Sequence, residues 1–147
     1  TFIAYLSNNR VFTFHWMERA LMSFKTTWET NGILWEFEGI VPFSDLRKVN
    51  VEFYEDPRSD HAYYQIFDGR NIDRLLLTDS ELTELAVLDV GASASLPDLK
   101  IAMVITDKNV IALAQKHIDI GLQLNSNWDF KFFADIKEAR AWVTSNN

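Results

Sequence analysis

The chain has 147 residues, 48% of them hydrophobic and 24% charged, a composition expected of one compact domain. A fold of this length can bury roughly 70% of the surface its unfolded chain exposes, so no disulfide or metal staple is required. Fourteen Lys and Arg against 21 Asp and Glu give a net charge of −7, and cysteine is absent. Those counts argue against a Cys-ligated zinc site, a thiol nucleophile, a disulfide scaffold and nucleic-acid binding through a basic patch.

No apolar run approaches the ~20 residues of a membrane span, and residues 1–22 lack the charged-then-apolar layout of a signal peptide. The expectation is a soluble, cytoplasmic, acidic domain. Residues 1–22 form an arm with two open readings. Phe2 to Leu6 and Val11 to Trp16 read as strands around Ser7-Asn8-Asn9-Arg10, or His15 to Met22 reads as a helix. Its apolar side chains need cover, from their own domain or from a second copy of the chain. Residues 23–147 form the single domain that follows.

Asn31-Gly32 is the clearest local signal, because both positions of a type I′ hairpin turn need positive φ. The spacing predicts Thr30 opposite Ile33, Trp28 opposite Trp35, Thr26 opposite Phe37 and Lys25 opposite Glu38. Phe24, Trp28, Trp35 and Phe37 then share one face, with Lys25, Thr27, Glu29, Glu36 and Glu38 on the other. Pro42 opens a helix over 43–56 with Phe43, Leu46, Val49 and Phe53 at helical spacing. Glu55 to Asp60 is turn-rich and holds Pro57. Residues 61–67 read as a strand ending at Asp68-Gly69. Thr78 and Glu81 make a capping box before Leu82, Leu85 and Leu88, on a helix that ends before Gly91. Residues 91–99 are loop-like.

Lys100 to Thr106 carries a continuous apolar run, the mark of a strand covered on both faces. A helix over 108–122 stacks Val110, Ala114, Ile118 and Gly121 in one stripe. Trp128 to Phe133 alternates apolar with charged residues, as an edge strand does. A last helix over 136–145 begins at a second capping box, Asp135 with Glu138. The order β-β-α-β-α-β-α-β-α predicts an α/β fold: a mostly parallel sheet flanked by helices and entered through an antiparallel hairpin.

Three segments then resemble a known family. Lys100-Ile-Ala-Met-Val-Ile-Thr106, Trp128-Asp-Phe-Lys-Phe-Phe133 and Asp135-Ile-Lys-Glu-Ala-Arg-Ala-Trp142 look like the C-terminal half of STAS-like domains, the relatives of the sporulation anti-sigma-factor antagonist. Ile33-Leu-Trp-Glu-Phe-Glu-Gly39, followed by a helix, looks like that family's first strand and helix. The likeness covers residues 23–145 and implies an α/β regulatory domain. Antagonists of the family carry a phosphorylated Ser in an Asp-Ser-Ser-Gly turn before the second helix. Asp79-Ser80-Glu81-Leu82 is the nearest match, so the resemblance points to Ser80, with Glu81 in place of the second Ser and Leu82 in place of Gly. The residues themselves read as a cap in which Ser80 is a solvated first-turn residue.

No GxGxxG, P-loop, HExxH or GxSxG pattern occurs. His15, His61 and His117 lie in three different elements and carry no metal-ligand spacing; His117 reads as a surface or flank residue. The acidic group Glu52, Glu55, Asp56 and Asp60 does not have EF-hand spacing. Glu36 and Glu38 read as an ordinary polar face. Ligands of parallel α/β sheets favour the carboxyl ends of the strands. Here those ends supply Asp68, Arg70, Asn71, Thr106, Asp107 and Lys108, with Asp135 nearby. Arg70 and Lys108 are the candidates to meet an anion near helix N-termini. The competing reading makes Asp107 and Asp135 N-caps and Asp68 a turn initiator. No cofactor is expected.

Three functions remain in view. The first is a non-catalytic regulatory module working through protein contacts, including a homodimer. The second is a carrier or sensor of a small apolar or amphipathic ligand, and the third an enzyme using the strand-end polar residues.

Overall fold

The computed structural model describes residues 22–145 other than Pro97. Residues 1–21, where the sequence places almost all of the N-terminal arm and His15, lie outside the described residues. Strand β1 (Phe24–Trp28) runs antiparallel to β2 (Gly32–Pro42). Helix α1 (Phe43–Glu55) and a 3-10 turn (Pro57–His61) lead to β3 (Tyr64–Leu76), followed by α2 (Asp79–Ser93), β4 (Lys100–Val104), α3 (Lys108–Gln123), β5 (Asp129–Phe133) and α4 (Ile136–Val143). The strands form one sheet in the order β1-β2-β3-β4-β5, and every pair after the first is parallel. Because consecutive strands are neighbours and each β-α-β crossover keeps the same hand, α1, α2 and α3 all fall on one face. Among the described helices, α4 covers the other.

The hairpin forms two residues away from its predicted register. Trp28 faces Ile33, Thr26 faces Trp35, Lys25 faces Glu36 and Phe24 faces Phe37. The turn is centred on Thr30-Asn31 and closed by the Glu29 N–H donating to the Gly32 carbonyl at 2.8 Å. Positive φ among the described residues occurs at Gly39, Asp98 and Asn125, so no type I′ turn is present. Gly32 is needed for a different reason. It pairs with Tyr64, and a Cβ there would sit 2.4 Å from the Tyr64 ring. A slip of two residues leaves every side chain on its expected face. Trp28 and Trp35 accordingly share one.

Strand β3 departs further from expectation. It starts at Tyr64 and runs on to Leu76, whereas the sequence ends it at Asp68-Gly69. Asp68 pairs with Glu36, and the register then slips between Glu36 and Glu38 and again between Gly39 and Ile40. These are bulges within a long parallel ribbon. Gly39 adopts φ 70° at the second slip, a conformation that costs glycine little. The polar Asp-Gly pair that resembles a turn is a kink that the β2 ladder carries through.

The large core lies beneath the three helices. Leu46, Val49 and Phe53 from α1, Leu85 from α2, and Val110, Ala114 and Ile118 from α3 pack on Ile33, Trp35, Phe37, Ile101 and Met103. Phe53 is fully buried, stacked on Trp28 at 5.6 Å and edge-on to Trp35 at 5.9 Å. Each such side chain contributes about 1.5–3 kcal/mol on burial. On the opposite face Leu34, Tyr64, Ile66, Ala102 and Val104 pack with Ala139 and Val143 of α4, and Ile136, Trp142 and Phe133 close over them. A polar clasp reinforces that contact: Arg140 donates to both Glu29 carboxylate oxygens at 2.9 and 2.7 Å, and the Tyr64 hydroxyl donates to Glu29 at 2.7 Å.

Caps set the helix ends. Thr78 and Glu81 form the expected capping box on α2. That helix then continues through Gly91 to Ser93, past the end the sequence suggests. A Cβ at Gly91 would meet nothing within 4 Å, so this glycine marks no boundary. Asp107 accepts from the Asn109 and Val110 N–H groups and caps α3. At the far end of α3, Asn125 (φ 65°) donates to the Leu122 carbonyl and Ser126 to that of Gly121, a Schellman closure. Asp135 accepts from the Lys137 N–H at 2.7 Å. Among the described residues Glu138 does not complete that box.

Candidate functional site

The strand-end group separates into pieces. Asp68 and Arg70 lie inside β3 rather than in a strand-to-helix loop, because the strand continues beyond them. The Arg70 guanidinium grips the Asp68 carboxylate through two bonds, at 2.9 and 2.8 Å. That hydrogen bond raises the guanidinium above its ordinary value, with smaller contributions from Asp135 and Glu36 nearby. Three carboxylates around one arginine disfavour an anion there. Asn71 is exposed and pairs with Glu38. Thr106 and Lys108 are exposed beside Asp107, whose side chain is committed to the cap. Asp135 is likewise an N-cap. Ser80 is exposed in the first turn of α2, 3.3 Å from the Thr78 hydroxyl. His61 is exposed in the 3-10 turn.

A different polar group is buried in the helical layer. The Tyr54 hydroxyl donates to Asp89 Oδ1 at 2.5 Å, and His117 Nε2 lies 2.9 Å from Asp89 Oδ2. One carboxylate thus joins α1, α2 and α3. Burial raises the Tyr54 phenol far above its usual range, and the Asp89 charge and hydrogen bond add to the shift. The phenol therefore stays a donor at every ordinary pH. His117, expected at the surface or flank, is largely buried, in a T-shaped contact with Phe130 at 5.9 Å. Residues separated by 28 and 35 positions give no local motif. One signal was nonetheless present in the sequence: Asp89 falls on the same buried helical stripe as Leu82, Leu85, Ala86 and Ser93.

Below that group, between the three helices and the sheet, lies a cavity of about 80 Å³. Most of its wall is apolar, including Leu46, Val49, Leu85, Ile101, Met103 and Ile105. Asn50, Asp89 and His117 contribute polar groups from the helices, and Trp35 and Gln65 from the sheet. Trp35 and Gln65 are each only 3% exposed. The Trp35 Nε1 and Gln65 Nε2 donors find no hydrogen-bond partner among the described residues. Gln65 follows two tyrosines and precedes Ile66 and Phe67, so only its polarity within an apolar strand marked it in the sequence. A wider cleft of about 440 Å³ opens on the β1 side of Trp35, walled by Thr26, Trp28 and Phe53 and rimmed by Glu52, Glu55 and Asp56. Arg58 stacks over Trp28 at 4.3 Å there and holds Asp56 down to about 2. No cluster of three His, Asp or Glu able to hold a metal occurs among the described residues. Nor, among them, is any helix long and apolar enough to cross a membrane.

Comparison with known proteins supports the architecture. No family model and no curated protein matches the sequence. Among solved structures, the anti-sigma factor antagonist SpoIIAA in its unphosphorylated form superposes with a TM-score of 0.53 at 10% identity, covering 82% of this chain and 96% of that one. An uncharacterised DUF3478-family protein from Shewanella loihica, described as having a SpoIIAA-like fold, gives 0.49 at 14% identity over 82% and 91%. This chain has the SpoIIAA-like fold, as the STAS-like resemblance of its sequence implied.

Proposed function

We propose that this chain is a non-catalytic regulatory module that acts through protein–protein contacts in the cytoplasm, with a second copy of the chain as its partner. The observation that carries the reading is the β2–β3 ribbon. Beyond Asp68, strand β3 has no neighbour on the β4 side among the described residues, because β4 ends opposite it at Val104. The ribbon continues to Pro42 and Leu76, with Ile40 60% and Leu76 40% exposed. Open strand edges beside exposed apolar side chains favour association with another chain. The fold is shared with a protein named for antagonising another protein, which agrees with a binding role. Of the strand-end polar residues, Asp68 and Arg70 are engaged with each other and Asp107 and Asp135 in caps, which leaves no acid, base and nucleophile grouped together.

Light scattering on the full chain at micromolar concentration tests the proposal. The expected mass is that of two chains, falling to one when Ile40→Glu and Leu76→Lys are combined. A single-chain mass for the unaltered protein, or a dimer indifferent to both substitutions, overturns it.

A further inference from the structure

The cavity beneath the Tyr54–Asp89–His117 group has a chemistry that the protein-contact reading does not use. A buried amide or indole N–H without an acceptor costs about 1–3 kcal/mol, and native structures rarely leave one so. Three buried groups have no partner among the described residues, the Gln65 amide N–H, the Trp35 indole N–H and the Thr26 hydroxyl; the first two belong to side chains that line this space, while Thr26, opposite Trp35 in the ladder, lies on the wider cleft that Trp35 also borders. Gln65 and Trp35 sit on one face of the sheet, one strand apart. Gln65 is opposite Ile33 in the ladder, two residues from Trp35 along β2.

Two kinds of occupant would meet this need, and the wall discriminates between them. An ordered water requires two to four polar partners. At the helical side of the cavity most polar groups are already engaged: Asp89 with Tyr54 and with His117 Nε2, and the Asn50 side-chain N–H with the Leu46 carbonyl at 2.9 Å, which leaves the Asn50 carbonyl oxygen as the main polar atom on that side. The rest of the lining is apolar, aliphatic but for Phe67, Phe130 and the Met103 thioether. Water would therefore gain little beyond the two donors and would face hydrocarbon elsewhere. A molecule carrying one acceptor on an apolar body satisfies both requirements. Trp35 narrows the class, since an indole N–H can only donate. A charged ligand is disfavoured, because no oppositely charged group of the lining is free to compensate it against a mostly apolar wall. Size narrows it again: an apolar cavity of about 150 Å³ accepts benzene, and this one is about 80 Å³.

We propose that this cavity is a binding site for a compact, neutral, largely apolar molecule with a single carbonyl-type oxygen, which accepts from Gln65 Nε2 and Trp35 Nε1. Binding is non-covalent, and no bond is made or broken.

The test uses acetone, the smallest ketone, and 2-methylpropene, a pair of nearly equal shape in which the carbonyl oxygen is replaced by a methylene. Each is titrated into the full 15N-labelled chain while the Gln65 side-chain amide and Trp35 indole N–H resonances are followed. The ketone is expected to shift both saturably and to bind at least tenfold more tightly than the alkene. In Gln65→Leu that preference should fall severalfold. Equal affinity for the two probes would show a dry apolar void and overturn the proposal. So would the absence of any saturable shift, or persistent contacts from both donors to resident water that the ketone does not displace. If Gln65→Leu does not fold, the two probes on the unaltered chain decide the matter alone. The light-scattering result is independent of this one, so either proposal can fail without the other.

Discussion

On one face of the sheet three helices bury a continuous aromatic and aliphatic core; on the other, among the described residues, one eight-residue helix covers a smaller cluster of Leu34, Tyr64, Ile66, Ala102 and Val104 and is held by a carboxylate shared between Arg140 and Tyr64. The first face is held chiefly by hydrophobic burial, which is non-directional and tolerates a void of about 80 Å³. The second is a smaller apolar cluster supplemented by directional bonds. The contrast explains why unpaired donors occur under the thick layer. Once the large core is assembled, the energy of many contacts outweighs the cost of a few unpartnered groups, so a mostly apolar cavity with unpartnered polar atoms can persist where a thin layer would not sustain it.

The largest expected effect tests that contrast directly. Phe53→Ala removes a fully buried ring from the three-helix face and should cost about 3–5 kcal/mol in urea unfolding. Val143→Ala, on the α4 face, should cost about 2 kcal/mol. Equal losses would mean that the two faces are not held differently.

Gly32→Ala comes next. Its Cβ would press on the Tyr64 ring at 2.4 Å and on the Tyr64 carbonyl oxygen at 2.6 Å. Because the second of these is backbone, the strands must part, at about 1–3 kcal/mol. A neutral result would place the glycine requirement back in the turn.

The clasp gives a smaller, pH-dependent effect. The hydrogen bond from Arg140 lowers the Glu29 carboxyl below its ordinary value. A depressed carboxyl adds stability above its unfolded pKa, near about 4.3, and that stability fades as pH falls through the lower folded value. The unaltered chain should therefore exceed Glu29→Gln by no more than about 1 kcal/mol at neutral pH, since the pair is partly solvated. The two should converge below about pH 4 in denaturant titrations, near the ordinary carboxyl value. A constant gap across that range would show that Glu29 contributes through packing. Smallest of all, Gly91→Ala should stabilise the chain by about 0.5–1 kcal/mol in thermal melts, because the helix runs through this position into open space. A destabilised variant would mean that the helix stops where the sequence suggests.

Much of the architecture was legible before any coordinates. Period-two alternation put Trp28 and Trp35 on one face, helical spacing picked out Leu46, Val49 and Phe53, and Val110, Ala114, Ile118 and Gly121 are the buried residues of α3. Thr78, Asp107 and Asp135 cap the helices they were expected to cap. The misses share a cause. Asp68-Gly69 has the composition of a turn, yet the β2 ladder carries the strand through it; Asn31-Gly32 has that of a type I′ hairpin, yet the glycine answers to Tyr64.

The candidate site was the least legible part. Asp68, Arg70 and Asp107 were visible as polar residues near strand ends, whereas Tyr54, Asp89 and His117 met only through packing. The sequence alone determined element type, order and face, because periodicity and capping act between residues a few positions apart. Register, the length of β3, the shared carboxylate of Asp89 and the cavity above Gln65 were left to tertiary structure. Each depends on contacts between segments distant in the chain, whose geometry no local pattern encodes.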